Sequence, residues 1–270
     1  MCLLSDKKVI ENDGKSTVNK ITVIGGYDKQ GKPENITLDL NVGQIISIVG
    51  PTGSGKSRLL ADIEYMSQKD TPTGRQILIN DKVPDISNRF SSEEKLVAQL
   101  SQNMNFVMDV TVGEFLNMHS RCRKNYASKE IVDSIIKKAN ELSGEKFFHY
   151  TPLTALSGGQ SRALMIADTA YLSTSPIVLI DEIENAGIDR KKALDALIKK
   201  EKIVLMATHD PILILMSIKR IIIKNGGINK VIFTSPEEKK VLESLQTMDN
   251  KISSLRNLLR NGDIVESISL

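Results

Sequence analysis

An apolar run, Ile45-Ile46-Ser47-Ile48-Val49, leads directly into Gly50-Pro51-Thr52-Gly53-Ser54-Gly55-Lys56-Ser57, and a helical pattern starts at Arg58-Leu59-Leu60. Strand, glycine-rich loop and helix form the context that gives the G-x-x-x-x-G-K-[ST] pattern a mechanism. Gly50, Gly53 and Gly55 permit backbone conformations that a side chain forbids, so successive N–H groups can turn into one concavity. The concavity opens at a helix N-terminus, where unpaired donors and the helix dipole attract phosphate. Ser54 belongs to the same cradle. Lys56 offers a point charge to the β- and γ-phosphates of a nucleotide, and Ser57 offers a hydroxyl to Mg²⁺.

The rest of the chain supplies the sheet that such a loop needs. Ile21–Ile24 reads as a short strand, and Ile36, Leu38, Leu40 and Val42 alternate with polar residues as in a half-buried strand. Residues 76–80, 95–100, 177–180, 203–207 and 221–223 are further strands, the last closed by Asn225-Gly226-Gly227. Residues 103–155 read as mainly helical. Thr111 with Glu114 three residues on is a helix start, and Ile131, Ile135 and Ile136 share one face of a helix over 129–143. A small-residue helix runs from Ala163 to Tyr171, and a polar one from Arg190 to Lys200. Strands alternating with helices predict an α/β fold of three layers around a parallel or mixed sheet.

Composition excludes more than it selects. Across 270 residues, 36 basic and 33 acidic side chains leave a net charge of +3, too balanced to argue for a nucleic acid partner. The two cysteines, Cys2 and Cys122, have no metal-ligand spacing, so a reducing cytoplasmic setting is expected. Met1-Cys2-Leu3-Leu4 runs straight into charged residues, unlike a signal peptide, and the longest apolar stretch, Pro211–Ile218, is too short to span a bilayer.

Further along, Leu156-Ser157-Gly158-Gly159-Gln160 opens a helix, Ile177–Ile180 ends in Asp181-Glu182, and Ile203–Ala207 ends in Thr208-His209. Together with the loop at 50–57 and Gln102, these stand in the order found in the ATP-binding cassette (ABC) ATPases, and over roughly residues 20–235 the chain resembles that family. The resemblance implies a P-loop NTPase core with an antiparallel β subdomain and a helical signature subdomain near 103–165, within an ATPase domain of 1–235 followed by a helical tail over 236–270. It implies that Ser157, Gly158, Gly159 and Gln160 cradle the nucleotide held by another subunit, so that a homodimer or heterodimer closes on two ATP. It also implies that Tyr27 stacks on adenine.

Chemistry gives each motif residue a reason. Asp181, ending a buried strand, can hold Mg²⁺ with Ser57. Glu182, one residue on, points another way and can take a proton from the attacking water. His209 can reach the same phosphate or brace Glu182. Gln102 would contact Mg²⁺ or the water, with Gln99 as a nearby competitor.

Some positions depart from the family pattern. Ile183 replaces the usual Pro, and Asp189, the choice for a residue crossing a dimer interface, comes one residue late. Arg162 is displaced by one position, and the helix after His209 is apolar. In the tail, Val241, Leu245, Met248, Ile252, Leu255 and Leu259 alternate four and three apart, a coiled-coil-like seam for which docking on the chain's own core is the simpler account. Met104, Phe106, Val107 and Met108 form an apolar stretch where the family receives a partner's coupling helix, and packing into the chain's own core accounts for it equally well. The leading expectation is an ATPase subunit driving a separate membrane permease, peripheral on the cytoplasmic face of the membrane. The alternative is a soluble ABC ATPase that remodels a metalloenzyme or a translation complex. Chromosome-maintenance ATPases carry long coiled-coil insertions, whereas only 53 residues separate Gln102 from Leu156.

Overall fold

The computed structural model describes residues 18–85, 89, 95–101, 106–122, 128–181 and 188–264. The strands are β1 (Lys20–Ile24), β2 (Thr37–Asn41), β3 (Ile45–Val49), β4 (Gln76–Ile79), β5 (Val97–Leu100), β6 (Ile177–Asp181), β7 (Ile203–Ala207), β8 (Lys219–Lys224) and β9 (Gly227–Phe233). The helices are α1 (Lys56–Glu64), α2 (Val112–Cys122), α3 (Lys129–Ser143), α4 (Gly158–Tyr171), α5 (Arg190–Ile198), α6 (Pro211–Met216) and α7 (Pro236–Arg260).

Six strands form the main sheet in the order β5-β6-β7-β3-β8-β9, parallel throughout except for the last pair. The inner strands are apolar on both faces because both faces are covered. Ile177, Leu179, Ile203, Leu205, Ile46 and Ile48 point to one side, where α1 and the antiparallel sheet β2-β1-β4 pack. Val178, Ile180, Val204 and Met206 point to the other, beneath α2 to α6. Each fully buried Ile or Leu contributes roughly 1.5–3 kcal/mol relative to exposure. The expected three-layer α/β core and its antiparallel β portion are therefore present.

β9 was not expected. The Asn225-Gly226-Gly227 sequence closes β8, but it also starts a return strand. Asn225 and Gly226 both have positive φ, 52° and 82°, the geometry of a tight hairpin turn that sends the chain back along β8. The apolar α6 also has a local cause: α7 lies on it, so Ile212, Ile214, Leu215 and Met216 are half-buried and Leu213 is fully buried. The tail helix differs from the expectation of a docked seam. Its half-buried side carries Leu242, Leu245, Gln246 and Asp249, while Val241, Met248, Ile252 and Leu259 face outward.

Candidate nucleotide site

Strand register brings the site together. Ile48 of β3 pairs with Ala207 of β7, and Ala207 pairs with Asp181 of β6. The loop at 50–57, Asp181 and His209 therefore leave the sheet at the same edge, at the carboxyl ends of adjacent parallel strands, where ligands of open α/β sheets bind.

The phosphate loop is a formed cradle. Gly53 and Gly55 have φ of 76° and 108°, conformations that L side chains rarely adopt. A Cβ on Gly50 would lie 2.5 Å from the Ile223 carbonyl, and one on Gly55 would lie 2.8 Å from Gly226 Cα. The loop is tied down from outside by Gly226 N–H donating to the Ser54 carbonyl at 2.7 Å and by Lys29 Nζ donating to the Gly53 carbonyl at 3.2 Å. Among the described residues, Ser54 Oγ is one of two buried side-chain polar atoms without a hydrogen-bond partner. Such an atom costs stability unless something satisfies it.

Lys56 is 8% exposed, and its ammonium is held within the loop itself. It donates to the carbonyls of Gly50 at 2.8 Å and Pro51 at 3.2 Å, and lies 3.1 Å from His209 Nε2. An ammonium has no acceptor, so Nε2 accepts and the ring proton sits on Nδ1. The cation is thus stored beside the bend of its own loop, where an incoming phosphate can replace weak carbonyl acceptors with a charged one. Ser57 is exposed at the start of α1, and Asp181 is half-buried at the end of β6. These oxygen donors, hydroxyl and carboxylate, suit a hard cation such as Mg²⁺. Gln102, Met104 and Glu182, with the neighbouring 183–187, lie outside the described residues.

A buried ionic cluster supports the loop from behind. The Arg75 side chain is fully buried and its guanidinium donates to Glu34 at 3.0 and 2.5 Å, to Asp62 of α1 at 2.8 Å and to the Gly226 carbonyl at 2.9 Å. Glu34 in turn accepts from the N–H groups of Gly26 and Ile228. One arginine thereby joins the small sheet, the phosphate-loop helix and the β8–β9 turn that buttresses Gly55. Arg75→Met leaves two buried carboxylates uncompensated, and a loss of about 3–5 kcal/mol is expected from urea denaturation. Burial opposes ionisation of Glu34, but the hydrogen bonds and charge of Arg75 and the two backbone donors outweigh it and hold its carboxyl below the ordinary value of 4.5. A depressed folded pKa stabilises above the unfolded pKa. Stability measured against pH should therefore fall as the pH drops below about 4.5 toward the folded value, and Glu34→Gln should flatten that part of the curve.

Tyr27 is anchored at the mouth of this region by its backbone, whose N–H donates to the Thr73 carbonyl at 2.7 Å. Its ring lies over Gly74, where an added Cβ would come within 3.3 Å, and it is 55% exposed, so one face is open to a base.

The Leu156–Gln160 stretch lies elsewhere. Ser157 caps α4 in a reciprocal capping box: Gln160 N–H donates to Ser157 Oγ at 3.2 Å, and Ser157 N–H donates to Gln160 Oε1 at 2.9 Å. The Gln160 side chain thus also has a structural task. A Cβ on Gly158 would meet nothing within 4 Å, so the backbone there is open to approach. Ser157 Oγ is 3.4 Å from Glu145 Oε2, a neighbour that no sequence motif singles out. Asp189 caps α5 by accepting from Lys192 N–H. Gln99, with its amide turned to donate, reaches Glu64 on α1 at 3.0 and 3.2 Å.

The two glycine-rich stretches belong to opposite layers. The phosphate loop feeds α1, whose apolar side chains join the cluster with the small sheet, whereas Ser157–Gln160 opens α4 in the helical cluster across the main sheet. Lys29, Glu34, Arg75 and Glu145 are contributions that sequence motifs missed. Of these, only Arg75 carries a hint, as a charged residue directly before the apolar strand at 76–79.

Residues 33–185 match the ABC transporter family. An uncharacterized ABC transporter ATP-binding protein of Methanocaldococcus jannaschii is 50% identical over 94% of this chain and 98% of its own length. The lipoprotein-releasing system ATP-binding protein LolD of Psychrobacter arcticus is 25% identical over 78% of this chain and 95% of its own. Among solved structures, CbiO1 of Clostridium perfringens, part of the ABC transporter complex CbiONQ, superposes with a TM-score of 0.60 at 18% identity, covering 90% of this chain and 99% of that one.

Proposed function

From the premise that this chain belongs to the ABC transporter family, as an ATP-binding subunit and an ATPase, we propose that two copies, or one copy and a similar subunit, close on two ATP and drive a separate membrane permease. The observation that carries the two-chain reading is the separation of the phosphate loop and Ser157–Gln160 into opposite layers of one chain. In this reading each stretch completes a nucleotide site with its complement on a second chain.

In this reading the N–H groups of the loop from Gly50 to Ser57 hold the β- and γ-phosphates, and Lys56 turns from the carbonyls of Gly50 and Pro51 toward them. Tyr27 presents its ring to the adenine. Ser57 and Asp181, with Gln102, would hold Mg²⁺, which supplies positive charge to the phosphate oxygens. Glu182 accepts the proton of the attacking water, and His209, once Lys56 has turned away and the ring carries a proton on Nε2, donates to the γ-phosphate. Ser157 and the backbone of Gly158 and Gly159 close the far side of the site across the interface. ATP favours the closed pair and hydrolysis releases it.

No described helix is long and apolar enough to cross a membrane, so transport calls for a partner that spans it. Val107 is 91% exposed and Met108 38%, ahead of α2, and this apolar edge is the proposed seat of the permease. The test is affinity purification of the chain from detergent-solubilised cells. Recovery of a polytopic membrane protein in near-equal amount, lost when Val107 is changed to Glu, is the expected result. Recovery of a soluble enzyme or a ribosomal component in its place would move the function to remodelling.

A further inference from the structure

α7 spans 25 residues, about 37 Å at the rise of an α-helix. Its first half is fastened to the body. Arg220 grips Glu238 with two bonds of 3.0 and 2.6 Å, and Arg190 holds Asp249 at 2.9 Å while also pairing with Asp210, the N-cap of α6. Beyond Asp249, the described side chains as far as Leu259 are exposed except for Leu255, which is half-buried.

These ion pairs fix the rotation of the helix, and that rotation turns an apolar strip outward. Val241, Met248, Ile252 and Leu259 are 52%, 60%, 48% and 57% exposed. With Leu245 and Leu255 they follow a spacing of four and three residues, the 3.5-residue period of a two-stranded coil rather than the 3.6 of a helix lying on a globular core.

Flanking charges select the partner and its direction. Taking Leu245, Ile252 and Leu259 as a positions and Val241, Met248 and Leu255 as d positions, Asp249 and Arg256 fall at e and Lys251 at g. A parallel copy would set Lys251 against Arg256 of its mate, a like-charge contact. An antiparallel copy sets Asp249 against Arg256 twice and stacks Ile252 on Leu255 and Met248 on Leu259, each also twice. Asp249 binds Arg190 through Oδ2, and a carboxylate can accept at its other oxygen as well. A self-complementary strip in which residue i meets j and j meets i is the signature of a two-fold interface.

We propose that the outward seam of α7 pairs antiparallel with α7 of a second copy of this chain, about an axis near residues 253–254, and holds two chains together without nucleotide. The seam has fewer than three heptads, so the association is of moderate strength, reinforcing the cassette pair rather than replacing it. It rests on no step of the ATP cycle.

Sedimentation velocity of the full chain in EDTA, free of nucleotide, tests this. The wild type is expected to shift from monomer to dimer as concentration rises through the tens of micromolar. Met248→Glu with Ile252→Glu, both at exposed positions, should stay monomeric with an unchanged circular dichroism spectrum. Arg256→Glu should weaken the dimer about three- to tenfold at low salt. A wild type that stays monomeric at about 100 µM, or a dimer that survives the double substitution, overturns the proposal. In the first case the strip belongs to another partner; in the second another surface makes the dimer.

Discussion

Replacing Lys56 with Ala should abolish ATP hydrolysis and weaken nucleotide binding by at least about 100-fold, the scale seen when a preorganised charge is removed from a phosphoryl-transfer site. The structure explains why the loss should be functional and not a failure to fold. The ammonium sits on the Gly50 and Pro51 carbonyls and beside His209, within the loop and outside the hydrophobic core clusters. The two carbonyls it leaves can be taken up by water. The glycine conformations that shape the cradle are held instead by the Gly226 N–H bond to Ser54 and by the Arg75 cluster behind it. Calorimetric titration with ATP and a thermal melt check both halves: binding should vanish while the melting temperature moves by no more than a few degrees.

Glu182→Gln should give the opposite separation. An amide cannot accept the proton of the attacking water, so turnover should drop by about 10²–10⁴, while Lys56, the loop and Tyr27 still hold the nucleotide. Because hydrolysis is the step that opens the proposed pair, ATP-bound dimers should accumulate, as read by retention of labelled ATP on a sizing column. Unchanged turnover would remove Glu182 from the role of base and point to another group near Asp181 or His209.

The parts of this site that could be read from the chain are those written locally. The strand Ile45–Val49, the loop and α1 are contiguous, so residue type and spacing carry the whole argument, and the fold places them as the pattern required. Ser157 and Gln160 fit the same description, since S-x-x-Q is itself a capping box and fixes the start of α4. The Arg75 cluster is the reverse case. Its partners lie 41 residues upstream at Glu34 and 151 downstream at Gly226, and no local pattern links them. β9 is hidden because Asn225-Gly226 reads as a strand end, although the same dipeptide is a strong signal for a chain that turns back. The tail seam was visible as a period. Which side of the helix would dock was not, because that is decided by Arg190 and Arg220, residues of α5 and β8 that meet α7 only in three dimensions.

The stoichiometry of the ATP-bound state decides between a shared and a single-chain nucleotide site. It should be made on Glu182→Gln in the Met248→Glu, Ile252→Glu background, so that pairing through α7 is removed and closure by nucleotide is read alone. Light scattering with quantified nucleotide is expected to give two chains and two ATP, reverting to single chains when ATP is omitted or when Ser157 is changed to Arg. A single chain that binds one ATP and stays monomeric at saturation would contradict the account, because the phosphate loop and Ser157–Gln160 would then have to act in separate sites.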